Sequence, residues 1–328
     1  MRTTHTLAIL LLIFTHQFCG CKPKSKPRTG PHRVIVLEVD TFGNYRHPGQ
    51  FTPSKIHTLT HSISAVIRKR LIKAGVSIDS IEVSDTNTHV TVKLWHLEEQ
   101  GASIERVRKL IQEDGKLGFW ETFDAKDAYA ELFPGENAIE SDTLNFFHRE
   151  LIRYLNLDSA RLFHIPYGIG PLIGYAEPKD TMNADIILSK LHLPKNMHFL
   201  WSFKRMRQNN NLVALYAIKG IEPAMTGEVV AAAKAAKGGM GSPVISITMN
   251  DAGAEKWRVL TKDNIKKEIA ITFDDRVCTS PRVMSEISAG KCDISGDFTM
   301  DEAKDLAALL TAGDMPAQVR IVAENIEN

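Results

Sequence analysis

The chain has 328 residues, room for about two domains at roughly 150 residues each. Hydrophobic residues make up 43% of it, which excludes a wholly disordered or low-complexity chain, since such compositions cannot bury enough apolar surface to fold. Lys and Arg number 40 against 39 Asp and Glu, a net charge of +1, so overall charge supplies no attraction to nucleic acid or other polyanions. Four cysteines, Cys19, Cys21, Cys278 and Cys292, are too few for a disulfide scaffold.

The N-terminus reads as a secretory leader. Arg2 precedes an apolar run from Leu7 to Phe14, well short of the ~20 residues that span a bilayer. Residues 1–20 are therefore expected to be a signal peptide. Phe18-Cys19-Gly20-Cys21 resembles a bacterial lipobox, with an apolar residue at −3, a small one at −1, and then the cysteine that becomes diacylated. On that reading Cys21 is the first mature residue and carries the lipid anchor, holding the protein at a membrane of the cell envelope. Ordinary cleavage, giving a soluble secreted protein, is the alternative. Residues 21–32 are basic and proline-rich and read as a tether, either lying against anionic headgroups or serving as a solubilising linker.

Residues 33–123 read as a ferredoxin-like base of order βαββαβ. A β-rich run from Arg33 to Val39 is followed by an amphipathic helix opened by Pro53 and closed by Gly75. Two strands, 76–84 and 89–97, precede a second helix over 103–113 and a strand over 116–123. Residues 124–211 are expected to be an irregular, partly helical insertion, with a helix over 144–155. Residues 212–328 read as a second α+β lobe, the head, with a closing base strand. Within it the Ala-rich run 227–237 is expected to be helical. A hairpin is expected around Asp274-Asp275, and Thr299 with Glu302 forms a capping box. The fold class is α+β in two lobes.

Sharper chemistry finds little support. His57 and His61 are four apart on a helix, but HTLTH lacks the Glu of a metalloprotease motif and shows no third ligand. Asp274-Asp275 is explained as a turn. The glycines of Gly168, Gly170 and Gly174 are interrupted by Pro171, with no Lys-Ser/Thr pair to hold a phosphate. There is no Gly-x-Ser-x-Gly elbow. Trp95, Trp120, Trp201 and Trp257 sit among apolar neighbours and read as core. No catalytic residue, metal or cofactor is expected, nor a nucleic-acid partner.

The second half carries a family resemblance. The segments Ala270 to Pro281, Ile287 to Gly290, Ile294 to Thr299, Glu302 to Ala307 and Gly313 to Ala317 closely resemble the first periplasmic domain of the SecD/SecDF translocase subunits. Asn250 to Ala254, Leu260 to Asn264, Arg106 to Ile111 and Leu117 to Thr122 match other parts of that domain. The family-motif head positions are Asp274, Pro281, Gly290, Gly296 and Pro316. The resemblance implies a non-enzymatic module that contacts emerging secreted polypeptide or docks to Sec translocase subunits on the periplasmic side. The family's six-helix transmembrane bundle is missing from this sequence, so a stand-alone form without inherited proton coupling is expected. Cys278 and Cys292 replace positions where the family commonly has Tyr and a polar residue. Both lie on strand-like segments of one lobe in an oxidising compartment, so a disulfide is expected, with two separate buried thiols as the alternative.

Overall fold

A computed structural model describes residues 32–41, 52–84, 87–97, 101–133, 146–157, 170–204, 212–239 and 241–327. The leader, the tether before His32 and Cys21 lie outside the described residues.

The base begins as expected. Strand β1 (His32–Val39) buries Ile35, Leu37 and Val39 on alternate positions, as a half-buried strand should. Helix α1 (Pro53–Lys73) starts where Thr52 Oγ1 accepts from the Lys55 amide, with Pro53 in the first turn, and buries Ile63, Ile67 and Leu71 on one stripe. Strands β2 (Ile78–Val83) and β3 (His89–Trp95) follow, then α2 (Ile104–Gln112), whose start is capped by Ser103.

The end of the chain supplies the closing base strand, as expected, but the strand expected over 116–123 does not join the base sheet. Strand β4 (Leu117–Thr122) leaves this sheet, whose order is β14-β1-β3-β2, and the place beside β1 is taken by the last strand, β14 (Val319–Glu327). The two pair antiparallel from His32 opposite Glu327 to Val39 opposite Val319. The difference follows from burial. Leu117 to Trp120 are buried consecutively, which suits a strand covered on both faces, whereas β14 alternates and has one solvated side. Glu324 fixes β14 in place by accepting from Arg33 at 2.6 Å and from Arg108 of α2 at 2.8 Å.

Strand β4 instead sits centrally in a seven-stranded sheet of order β12-β11-β4-β7-β5, with β6 also on β7 and β8 also on β4. These strands are β5 (Leu172–Ala176), β6 (Met197–Trp201), β7 (Val213–Lys219), β8 (Met225–Thr226), β11 (Ile269–Phe273) and β12 (Arg276–Thr279). Residues 124–211 are more regular than expected. Helices α3 (Ala125–Leu132), α4 (Phe146–Tyr154) and α5 (Thr181–Leu188) pack with β5, β6 and β7 around a core of their own that includes Leu132, Leu151, Ile173 and Leu215.

The third sheet, β13-β10-β9, comprises β9 (Val230–Lys237), β10 (Pro243–Met249) and β13 (Lys291–Ser295). Its strand β9 is the Ala-rich run expected to be a helix. Alanine's helix preference is worth under ~1 kcal/mol per residue, and here the ladder with β10 outweighs it. Small side chains also let α7 (Met300–Ala312) approach, so that Thr311 Oγ1 donates to the Ala233 carbonyl at 3.1 Å and accepts from its amide at 3.2 Å. Helix α6 (Asp251–Asp263) is capped by Asn250, and α7 by the expected Thr299/Glu302 box, with bonds of 3.2 and 2.7 Å. One continuous apolar core runs from Ile35 and Ile67 of the base through Phe119 and Ile271 to Trp257, Phe298 and Leu306 of the head.

Candidate functional site

Asp274 and Asp275 form the β11–β12 turn with φ of 47° and 58°, the left-handed pair that a two-residue hairpin requires and that Asp tolerates. Asp274 Oδ1 accepts from the Lys116 amide at 2.8 Å, and its own amide donates to the Lys116 carbonyl at 2.9 Å. The turn is thereby tied to the entrance of β4. Burial is the main force raising the Asp274 pKa, opposed by the Lys116 amide.

Behind that turn lies Arg70 of α1, fully buried. Its guanidinium donates to the carbonyls of Leu110, Glu113, Asp114 and Gly313, at 2.7 Å for Asp114 and 3.2 Å for Gly313. One side chain closes the C-terminal ends of both α2 and α7, where backbone carbonyls lack partners within the helix. Burial lowers its pKa to about 10, against the pull of Asp274, Glu113, Asp314 and Asp114, so it is charged at neutral pH. Glu113 is pushed up to about 7, chiefly by burial, with Lys109 opposing from 3.5 Å. Its Oε2 is buried with no hydrogen-bond partner among the described residues. Asp314 is raised by burial too. Lys109 also lies over the Phe203 ring at 5.6 Å, and that ring meets Phe273 edge-on, so the cluster occupies the seam between base and head.

The other head motif positions set chain direction and packing. The Pro281 carbonyl accepts from the Ile269 amide at 3.2 Å. Gly290 has φ of 59°, and a Cβ there would stand 2.7 Å from the Ala254 Cβ, so glycine lets α6 close on the end of β10. Gly296 lies under the Phe298 ring. Pro316 follows Met315, whose amide donates to the Asp114 carbonyl at 2.7 Å. These positions are spread over the head and do not converge on a pocket.

Cys278 and Cys292 are free thiols, not the expected disulfide. They belong to different sheets, Cys278 to β12 and Cys292 to β13, where it pairs opposite Ile247. Burial raises each thiol to about 12, which keeps both protonated and unreactive. His57 and His61 do meet, Nε2 to Nε2 at 3.1 Å, on the exposed side of α1. No group of three or more His, Cys, Asp or Glu is placed to hold a metal among the described residues. Trp120 and Trp257 are buried, whereas Trp95 and Trp201 are half-buried, the latter donating to Asp185 at 2.9 Å.

Two hollows stand out among the described residues: one of about 660 Å³ at the end of the base sheet, lined by residues such as Val39, Asp40 and Arg320, and one of about 430 Å³ beside α6, where the head meets β4. The second is lined by Ala224, Met225, Val259 and Leu260 together with polar Glu121, Glu255, Lys256, Asp263 and Asn264. Its neighbours Ile221 and Ile265 are exposed. Sequence reasoning missed both this groove and the Arg70 cluster. Arg70 had a signal, since it falls on the apolar stripe of α1 with Ile63 and Ile67; the groove joins segments far apart in sequence and had none.

Residues 203–317 match the family model described as SecDF, P1 head subdomain. This chain resembles the SecD periplasmic domain. The protein translocase subunit SecD of Rhodothermus marinus is 32% identical over 165 residues, 48% of this chain and 26% of the relative. SecD of Calditerrivibrio nitroreducens is 42% identical over 80 residues, 24% of this chain and 16% of the relative. The chain thus spans about a quarter or less of the curated SecD proteins it matches. Among solved structures, SecDF in a super-membrane-facing form superposes with a TM-score of 0.53 at 20% identity, covering 90% of this chain and 30% of that one. A structure of SecDF, titled a membrane component that enhances protein export, gives 0.50 at 21% identity, covering 88% and 98%. These likenesses establish the mixed α+β fold. No helix among the described residues is long and apolar enough to cross a membrane.

Proposed function

We propose that the protein is a non-enzymatic, envelope-facing accessory of protein export, held to a membrane by a lipid on Cys21, whose head engages translocating polypeptide or a Sec translocase subunit. The observation that carries this reading is the open groove between α6 and β4. Apolar side chains in a shallow hollow suit a segment of extended chain, and carboxylates and Lys256 in its lining can hold polar groups of that segment. The match of residues 203–317 to a SecDF head supports the same reading. The alternative is a structural envelope protein that keeps the fold without contacting secreted chains.

Photocrosslinking in cells from Val259 and Ile265 beside the groove, with Arg282 and Lys291 as head positions outside it, separates the two. Export predicts adducts with many unrelated secreted chains or with Sec subunits, strongest at Val259 and Ile265. One recurring envelope partner, without secreted chains, would leave only the structural role.

A further inference from the structure

Helix α1 has no acidic residue from Pro53 to Lys73. Its buried stripe, Thr60, Ile63, Ile67, Arg70 and Leu71, faces the core. At roughly 100° per residue the opposite arc holds Thr58, His61, Ala65 and Ile72. Lys55, Lys69 and Lys73 flank that arc on one side, and His57 and Arg68 on the other. All of these are exposed. Lys55, Arg68, Lys69 and Lys73 form no ion pair with a described carboxylate, whereas Arg106, Arg108 and Arg258 do.

The imbalance is local, because the whole chain carries 40 basic and 39 acidic residues. From Lys55 to Lys73 the strip is about 27 Å long at 1.5 Å per residue. Small Thr58, Ser62 and Ala65 keep it flat, and Ile72, 59% exposed, offers an apolar tip at its C-terminal end. A flat basic strip matches a plane of phosphates. An acidic peptide would gain most from a hollow, and neither hollow described above is lined by α1.

We propose that the solvent face of α1 rests on anionic phospholipid headgroups, with Lys55, Arg68, Lys69 and Lys73 over the phosphates and Ile72 entering the headgroup boundary. The proposal goes beyond the export reading and does not require it. Each Lys or Arg near an anionic surface adds to binding while salt screens it, so removing four should weaken contact on the order of a thousandfold at physiological salt.

The test uses the full chain with an environment-sensitive fluorescent amino acid encoded at Ala65, which reports on α1 whatever the leader or tether does. Vesicles of phosphatidylcholine with phosphatidylglycerol should shift its emission to the blue, reversibly with salt, and pure phosphatidylcholine should not. Lys55→Gln, Arg68→Gln, Lys69→Gln and Lys73→Gln together should abolish the shift. Lys234→Gln, Lys237→Gln, Lys262→Gln and Lys291→Gln, equal in charge but on the head, should preserve it. An unshifted probe, a shift with pure phosphatidylcholine, or equal loss in both variants would overturn the proposal. A probe that answers to poly-glutamate but not to vesicles would overturn it in favour of an acidic protein partner.

Discussion

Glu113 shows how a single side chain can make the seam between base and head depend on pH. Its folded pKa, about 7, stands above its ordinary value of 4.5, so the folded chain holds the proton more tightly than the unfolded one. The stabilisation is complete below about pH 4.5 and is lost as pH rises through 7, by an amount on the order of 3 kcal/mol at most. Above pH 7 an ionised Glu113 faces Asp274 as well as Lys109 and Arg70. Glu113→Gln should therefore raise the denaturation midpoint at pH 8 and change it little at pH 5. A variant that melts in parallel with the wild type from pH 5 to 8 would show that Glu113 is solvated in the folded state. Arg70 is the fixed member of the same cluster. Its fork reaches four carbonyls from one position, a task for which a lysine ammonium lacks the geometry.

Among elements, those set by local chemistry were readable from the sequence and those set by pairing were not. Thr299 marks its helix start because its side-chain oxygen meets the amide three residues on, and Glu302 answers in return. The Asp274-Asp275 turn was readable for the same reason. Strand β9 was not, because nothing within VAAAKAAK reveals that β10 on one side and Thr311 on the other will satisfy its backbone. An edge strand left bare invites pairing with other chains, and Thr311 covers the middle of this one. Thr311→Val keeps the shape while removing both bonds, and should cost about 1–2 kcal/mol. Hydrogen exchange at the Ala233 amide should speed up more than at Ala235, and unchanged protection would mean that packing by α7 alone seals the edge.

Across the whole molecule, the two lobes read from the sequence share their interior. The core that begins at Ile35 ends at Trp257 and Leu306 without a break, so base and head should unfold as one unit. Single-tryptophan variants retaining Trp95 in the base or Trp257 in the head should report the same denaturant midpoint, and two separate midpoints would establish independent lobes. The α+β class, the base helices and a closing base strand near the C-terminus were legible, but the departure of β4 from the base sheet was not. Local pattern assigned β4 to the base because it followed α2, whereas its place is set by pairing with β7, β8 and β11, far along the chain.

That pairing of first and last strands has a mechanical side. His32 and Glu327 lie opposite one another at the same end of the ladder, so whatever precedes β1 and whatever follows β14 depart from a single corner. Tension between them loads the hydrogen bonds one pair at a time, in the manner of a zipper, and not all together in shear. The base sheet would yield to such a pull by peeling from that corner, at far lower force than its count of bonds suggests.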